Sequence, residues 1–438
     1  LTRVGDVGDF LAETAARWPE RRALSGRSRA WTFAELDAWV DELAARFRAE
    51  DQPAEGEVMA LVAEPVPEGI AALLAATRAG LTVAPLNPNL SEAEHDTALH
   101  ALAGSRPEGV AVLWTSGTSG SPRGVVLSAR NLRASARAAA ARLGLGGRDR
   151  WLASLSVAHV GGLALVTRSV ILGSEIVAVG AFDVSAASAL IDEGRVTHAS
   201  LVPTQVVRLL DERGDRPPPP TFRCMLVGGA HAPDDLVRRA LARGWPVALT
   251  YGMTEMTSQV ATAPPALVRR KPGTVGPPLD GVELRITGLG EILVRGATRA
   301  RGTVGTRVPL VDADGWYATG DLGHLDEEGH LWVTGRRSER IISGGVTVDP
   351  REVEAVLRAH PAVVDVCVVG LPDAEWGEKL AAAVVPVEGA FDLEEVDAWS
   401  RERLGPPRRP RRWLLLNELP LNANGKVDRA TVRGRFLS

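Results

Sequence analysis

Lysine is almost missing from this 438-residue sequence: Lys271, Lys379 and Lys426 stand against 47 arginines. Net charge is nearly missing too. Fifty basic and 54 acidic side chains leave −4, so the basic excess that marks nucleic-acid binding is absent. Cysteine occurs only at Cys224 and Cys367, too few for a disulfide framework or a zinc cluster and suited to a reducing cytoplasm. The longest apolar stretch, around 164–179, is interrupted by Arg168 and Glu175 and falls short of a membrane span. The opening LTRVGDVGDF carries acids and lacks an apolar signal core. No internal repeat occurs.

What remains is a chain with 45% hydrophobic residues, enough to exclude global disorder. It is too long for one core, which rarely grows past about 250–300 residues. Helix-period and strand-period segments alternate. Phe33–Ala49 reads as a helix, with Thr32 as N-cap and Glu35 completing a capping box. Val110–Trp114 reads as a strand, Asn131–Leu143 as an Ala-rich helix, and 176–211 as strand, helix, strand, helix. This alternation predicts an α/β fold with layered, largely parallel sheets. Pro217–Pro220 is a stiff surface connector. Short strands at Val282–Ile286 and Glu291–Arg295 point to a small β subdomain. Helix Pro350–Arg358, strands Val363–Val369 and Leu380–Val387, and helix Leu393–Leu404 point to a separate α+β unit. The predicted domains are 1–336 and 337–438.

Between the strand ending at Trp114 and the predicted helix lies Thr115-Ser116-Gly117-Thr118-Ser119-Gly120-Ser121-Pro122-Arg123-Gly124. Seven consecutive small residues let backbone N–H groups converge on an anion, the hydroxyls add donors, and a following helix would add its positive end. Phosphates are the natural occupants; a flexible surface loop fits the same composition. The G-K-[ST] ending of a Walker A loop is missing.

The segment resembles the phosphate-binding loop of the adenylate-forming superfamily of acyl-CoA ligases, peptide-synthetase adenylation domains and luciferases. The family's loop lysine is replaced here by Arg123, which keeps the charge. Further matches follow in family order: Val227-Gly228-Gly229-Ala230, Tyr251-Gly252-Met253-Thr254-Glu255, Thr319-Gly320-Asp321, Gly335-Arg336 and Pro420 to Gly425-Lys426. The resemblance implies a large N-terminal domain that binds ATP and acid, and a small mobile C-terminal domain. It places Thr115 to Gly120, Arg123 and Gly124 on the phosphates. Gly228, Gly229, Ala230, Tyr251 and Gly252 would lie against adenine, with Thr254 on the α-phosphate. Asp321 and Arg336 would hold ribose, and Glu255 would hold Mg²⁺. Lys426 becomes the cation for acid activation, a role a compact ammonium fills by stabilising charge developing on phosphorus. Ser338 falls at the hinge, where the family usually carries Asp or Lys. Gly344 and Gly345 fall along the coenzyme A tunnel, with Trp376 either stacking on the coenzyme or packing.

The resemblance thus implies an AMP-forming acid–thiol ligase using ATP, Mg²⁺ and coenzyme A. The segments around His159-Val160-Gly161-Gly162, Arg223–Ala230 and Tyr251–Gln259 look most like the members that join 2-succinylbenzoate to coenzyme A in menaquinone biosynthesis. His159 and Gly229 would then border the acid, His159 gating or packing, and Arg168 would meet the second carboxylate. Other aryl- or fatty-acyl ligases, and a stand-alone adenylation enzyme loading a carrier thiol, remain open alternatives. Expected partners are the carboxylic acid, ATP and coenzyme A, without nucleic acid or membrane span. The sequence leaves oligomeric state open, a homodimer included.

Overall fold

The computed structural model describes residues 9–49, 57–62, 64–103, 105–116, 122–304, 310–422 and 425–437. The chain forms two compact units, Leu1–Thr319 with His324–Val333, and Gly320–Gly323 with Thr334–Ser438. Local rules account for many of the element boundaries. Helix Phe33–Ala49 starts at the predicted box: the Thr32 N–H donates to Glu35 Oε2 at 2.8 Å and the Glu35 N–H to Thr32 Oγ1 at 3.2 Å. Its Phe33, Leu36, Val40 and Ala44, spaced three to four apart, are the buried face.

The first unit is built on two large sheets. Among the described residues one has eight strands, in the order Ser258–Ala263, Val247–Met253, Cys224–Val227, His198–Leu201, Arg150–Leu152, Glu175–Val177, Arg22–Ser25, Ala30–Thr32. The six inner strands are parallel and the two outer ones antiparallel. Cys224–Val227 and His198–Leu201 are buried at every position, as strands covered on both faces must be. The second sheet runs Gly302–Val304, Pro122–Leu127, Ala111–Ser116, Thr82–Leu86, Val58–Val62. The predicted α/β class is correct.

One local expectation is overturned. The Gly/Ser/Thr loop does not lead straight into a helix. Strand Ala111–Ser116 pairs antiparallel with Pro122–Leu127, and the helix begins only at Ala129. Its first turn is closed by its own cap, with the Asn131 N–H donating to Ser128 Oγ at 3.3 Å. Consecutive apolar Val125, Val126 and Leu127 carry the hairpin's return strand, a signal easily absorbed into the helix that follows.

The predicted β hairpin forms as Val282–Ile286 against Glu291–Gly296, and strands Tyr317–Leu325 and Leu331–Arg336 complete its sheet. In the second unit, Val363–Asp373 pairs with Gly377–Pro386 beside Ile341–Ser343, Val346–Val348 and Arg412–Leu415. Helices Pro350–Arg358 and Leu393–Arg403 contribute Val353, Leu357 and Val396 to a core with Val366, Val368 and Val384. No described helix is long and apolar enough to cross a membrane.

Candidate functional site

Gly117, Thr118, Ser119 and Gly120 lie outside the described residues, as does the side chain of Ser116. The flanks are defined. Thr115 pairs with Arg123 across the hairpin and donates from Oγ1 to the Arg123 carbonyl at 3.3 Å. Gly124 faces Val304 and Val112 so closely that a Cβ would collide with both, so sheet packing alone accounts for that glycine. Arg123 turns to an acid: its Nη2 lies 2.5 Å from Glu255 Oε1 and 3.5 Å from the Tyr317 hydroxyl. Burial works against the guanidinium's charge, but Glu255 and Tyr317 together raise its pKa. Burial and the Glu255 carboxylate raise that of the Tyr317 phenol.

Glu255 is buried, in a short 3₁₀ turn, Thr254–Met256, that ends strand Val247–Met253. Half-buried Tyr251 and Thr254 and exposed Gly252 precede it. A Cβ on Gly252 would run into the Ser258 carbonyl, so only glycine permits this close strand approach. Thr257 (φ 53°) and Ser258 (φ 103°) are the only described non-glycine residues at positive φ. They are held there by hydrogen bonds from Thr257 Oγ1 to the Thr298 carbonyl (2.6 Å) and from Ser135 Oγ to the Thr257 carbonyl (2.7 Å). Strain of this kind persists only where surrounding structure over-determines it, and it clusters at functional turns. Gly228 and Gly229 follow strand Cys224–Val227; Gly229 is at φ 78°, and both Gly229 and Ala230 are exposed.

His159 is the N-cap residue of helix Val160–Leu172. Its Nε2 lies 3.2 Å from Asn87 Nδ2, and His95 Nε2 lies 2.9 Å from the Asn87 carbonyl oxygen. Asn87 is buried and escaped the sequence reading; its signal was an Asn-Pro step directly after the apolar strand Thr82–Leu86. Arg168, on the same helix, is not on a solvated face. It is 4% exposed, lies with its guanidinium carbon 4.4 Å from the Trp151 ring centroid, and has no acidic partner among the described residues. Burial brings its pKa down to about 10 and, with Arg168 and Arg150 nearby, brings that of His198 down to about 3. Burial pushes the Cys224 thiol up to about 12.

The second unit gathers its own set. Arg336 Nε lies 3.3 Å from Asp321 Oδ1. Lys426 is an exposed residue overall, yet protein atoms crowd its ammonium enough to lower its pKa. Arg336 adds repulsion, and Asp321 and Glu339 oppose it. The turn before it is fixed by the Lys426 N–H donating to Asn422 Oδ1 (3.1 Å) and the Asn422 N–H to the Lys426 carbonyl (2.8 Å). Three residues on, Arg429 grips Glu354 with both terminal nitrogens, at 2.5 and 3.1 Å, a fork that ties helix Arg429–Leu437 to helix Pro350–Arg358. Sequence reading had no signal for this pair, since its members are 75 residues apart.

Ser338 is exposed in the 3₁₀ turn Arg337–Glu339. Gly344 (φ 57°) and Gly345 (φ 76°) turn strand Ile341–Ser343 into Val346–Val348, a two-residue hairpin whose geometry requires positive φ at both positions. The Gly344 N–H donates to the Trp376 carbonyl at 2.9 Å, and a Cβ on Gly344 would sit 2.8 Å from the Trp376 ring.

The profile of the family described as AMP-binding enzyme matches residues 11–106 and 103–304, and that of the AMP-binding enzyme C-terminal domain matches 352–426. A 2-succinylbenzoate–CoA ligase of Bacillus mycoides is 39% identical over 340 residues, 75% of this chain and 70% of the relative. The Bacillus subtilis o-succinylbenzoate CoA synthetase in complex with its acyl-adenylate superposes with a TM-score of 0.89 at 31% identity, over 98% of both chains. The same enzyme with ATP and magnesium superposes at 0.88 and 32% identity, over 98% of this chain and 99% of that one.

Proposed function

The chain belongs to the AMP-binding enzyme family, and from that premise we propose that it is an AMP-forming ligase joining 2-succinylbenzoate to coenzyme A. A substrate carboxylate oxygen attacks the α-phosphorus of ATP, and the bond to the bridging oxygen breaks, releasing diphosphate and forming the acyl-adenylate. The thiol of coenzyme A then attacks the acyl carbon, the carbon–oxygen bond to AMP breaks, and the thiol proton passes to solvent as the thioester forms.

The first step brings two anions together, so cations must offset their repulsion. Lys426 supplies a small ammonium to the carboxylate–phosphate junction, and Arg123 supplies a fork to the phosphates. Thr254 adds a hydroxyl at the α-phosphate. Asp321 accepts from the ribose hydroxyls, two donors suited to one carboxylate, with Arg336 alongside. Tyr251, Gly228, Gly229 and Ala230 border adenine.

Mg²⁺ suits Glu255, whose buried carboxylate already contacts one cation, the Arg123 guanidinium. No cluster of three or more potential ligands exists among the described residues, and Mg²⁺ bridging phosphates needs only one or two carboxylates and water. When bound it would neutralise the departing diphosphate.

In the second unit, Ser338 serves as hinge, and Gly344, Gly345 and Trp376 border the thiol's approach. The N-terminal domain, 1–336, binds ATP and acid, and 337–438 carries the lysine and the coenzyme side. We place the enzyme in the cytoplasm, where its two free, buried cysteines stay reduced.

The observation that carries the substrate assignment is Arg168. A buried guanidinium with no acidic partner among the described residues suits a ligand that brings a carboxylate beyond the one being activated. His159 and Gly229 border the remainder of the acid. A panel of acids assayed for coenzyme A-dependent AMP release tests the reading: 2-succinylbenzoate should outpace benzoate and hexanoate by at least roughly a hundredfold. Equal turnover of the three would overturn it.

A further inference from the structure

Among the described residues, the other buried arginine, Arg213, and the half-buried Arg78 and Arg429 are all paired with acids. Arg213 reaches Asp192 at 2.7 Å, Arg429 reaches Glu354 at 2.5 Å, and Arg78 sits among Asp9, Asp37 and Asp41. Arg168 is different. It lies over the face of Trp151 with Cys224 and His198 nearby, and its Nε is buried without a hydrogen-bond partner among the described residues.

The sheet beneath explains how that arrangement is held. Trp151, His198 and Cys224 are register partners on three adjacent parallel strands, so their side chains share one face. Trp151 is fully buried, and the His198 ring lies 4.7 Å from it, tilted by 30°. Thr197 Oγ1 lies 2.7 Å from His198 Nδ1, fixing the imidazole. The His198 pKa of about 3 keeps that ring neutral at physiological pH, so it brings no second positive charge beside Arg168. A tryptophan face attracts a guanidinium through its quadrupole without neutralising it. A carboxylate in its place would consume the charge.

We propose that Trp151 is a positioning residue for substrate selection: its ring holds the Arg168 guanidinium in place while leaving the positive charge for the substrate's second carboxylate. The inference rests on the assignment of Arg168 to that carboxylate. It makes the diacid preference a property of the ring and the cation together.

The test compares full-length wild type, Trp151→Leu, Trp151→Phe and Arg168→Met. Two acids are used: 2-succinylbenzoate and 4-oxo-4-phenylbutanoate, the same keto acid without the ring carboxylate. Trp151→Leu should raise KM for the diacid about thirtyfold, the size of a desolvated cation–π contact, with kcat changed far less, so the diacid-to-monoacid ratio of kcat/KM falls. Trp151→Phe, which keeps a weaker aromatic face, should lower the ratio by roughly two- to threefold and decides the matter if Trp151→Leu does not fold. A general packing defect would depress both acids alike. An unchanged ratio in the Trp151 variants, alongside a lost preference in Arg168→Met, overturns the role of the ring alone. A preference that survives Arg168→Met overturns the assignment of Arg168, and this inference with it.

Discussion

Arg123 and Glu255, assigned respectively to the phosphates and the metal, meet each other at 2.5 Å. The pair joins the flank of the Gly/Ser/Thr loop to the turn after Tyr251, segments 132 residues apart. It shows that a cation fits against the Glu255 carboxylate, and that Arg123 is held where its charge is retained.

Glu255→Gln should therefore slow 2-succinylbenzoate-dependent ATP–diphosphate exchange by about 10²–10³-fold, the usual cost of removing one electrostatic contact in a reaction site. The Mg²⁺ concentration needed for half-maximal rate should also rise. Arg123→Lys keeps a cation and should retain activity within roughly tenfold. Exchange by Glu255→Gln at the wild-type rate and Mg²⁺ requirement would remove Glu255 from the mechanism.

Lys426→Ala should slow acyl-adenylate formation by about 10²–10³-fold. Thioester formation from chemically supplied acyl-adenylate should proceed, because that half-reaction does not join two anions. In the proposed role the lysine acts as a cation, and crowding lowers its pKa from the ordinary 10.5. The active ammonium is lost as pH rises through that lowered value, so the alkaline fall in the first half-reaction should begin below the range of an unperturbed lysine. Lys426→Arg should push the fall to higher pH at a reduced rate. An alkaline profile identical in Lys426→Arg would detach the limb from this side chain.

Much of this was legible in the chain. The capping box at Thr32 and Glu35, the helix Pro350–Arg358 and the strand Val282–Ile286 follow from local pattern, and each forms at its predicted position. The roles of the motif residues rest on resemblance. Partners distant in sequence were not. Nothing local marks Trp151 as the neighbour of Arg168, or Glu354 as the neighbour of Arg429, because parallel strands and crossover helices bring those residues together only after the sheets form. The hairpin after the Gly/Ser/Thr loop was missed for a different reason. Its return strand, Pro122–Leu127, merges into the following Ala-rich helix when apolar periodicity is the guide.

The strained turn offers a separate test. Ser258 at φ 103° would relax as glycine, and relief of one such residue is worth about 1 kcal/mol after glycine's own entropic cost. Ser258→Gly should thus be more resistant to urea, while ATP–diphosphate exchange falls because Thr254 and Glu255 lose the constraint that aims them. Higher stability with undiminished exchange would mean that the strain serves only the local fold.

The three lysines separate by the same kind of measurement. Lys271 Nζ lies 2.9 Å from Asp326 Oδ2 and 2.8 Å from Glu328 Oε1, and Asp326 also accepts from Trp332 Nε1 at 3.1 Å. Lys379 pairs with Asp373 at 2.8 Å, whereas Lys426 forms no ion pair among the described residues. Hydrogen bonding to Lys271 leads the groups that hold the Asp326 and Glu328 carboxyls below their usual pKa values. Their stabilisation is present above the unfolded-state pKa, near 4, and is lost as pH falls through the lower folded values. Lys271→Met should therefore lower the melting temperature at pH 7, with the gap to wild type closing in strong acid, and adenylation at permissive temperature should be retained. Lys426→Ala should do the reverse, losing adenylation with little change in melting temperature. If Lys271→Met loses adenylation while melting like wild type, the ion-paired lysine would have a chemical role and the division proposed here would fail.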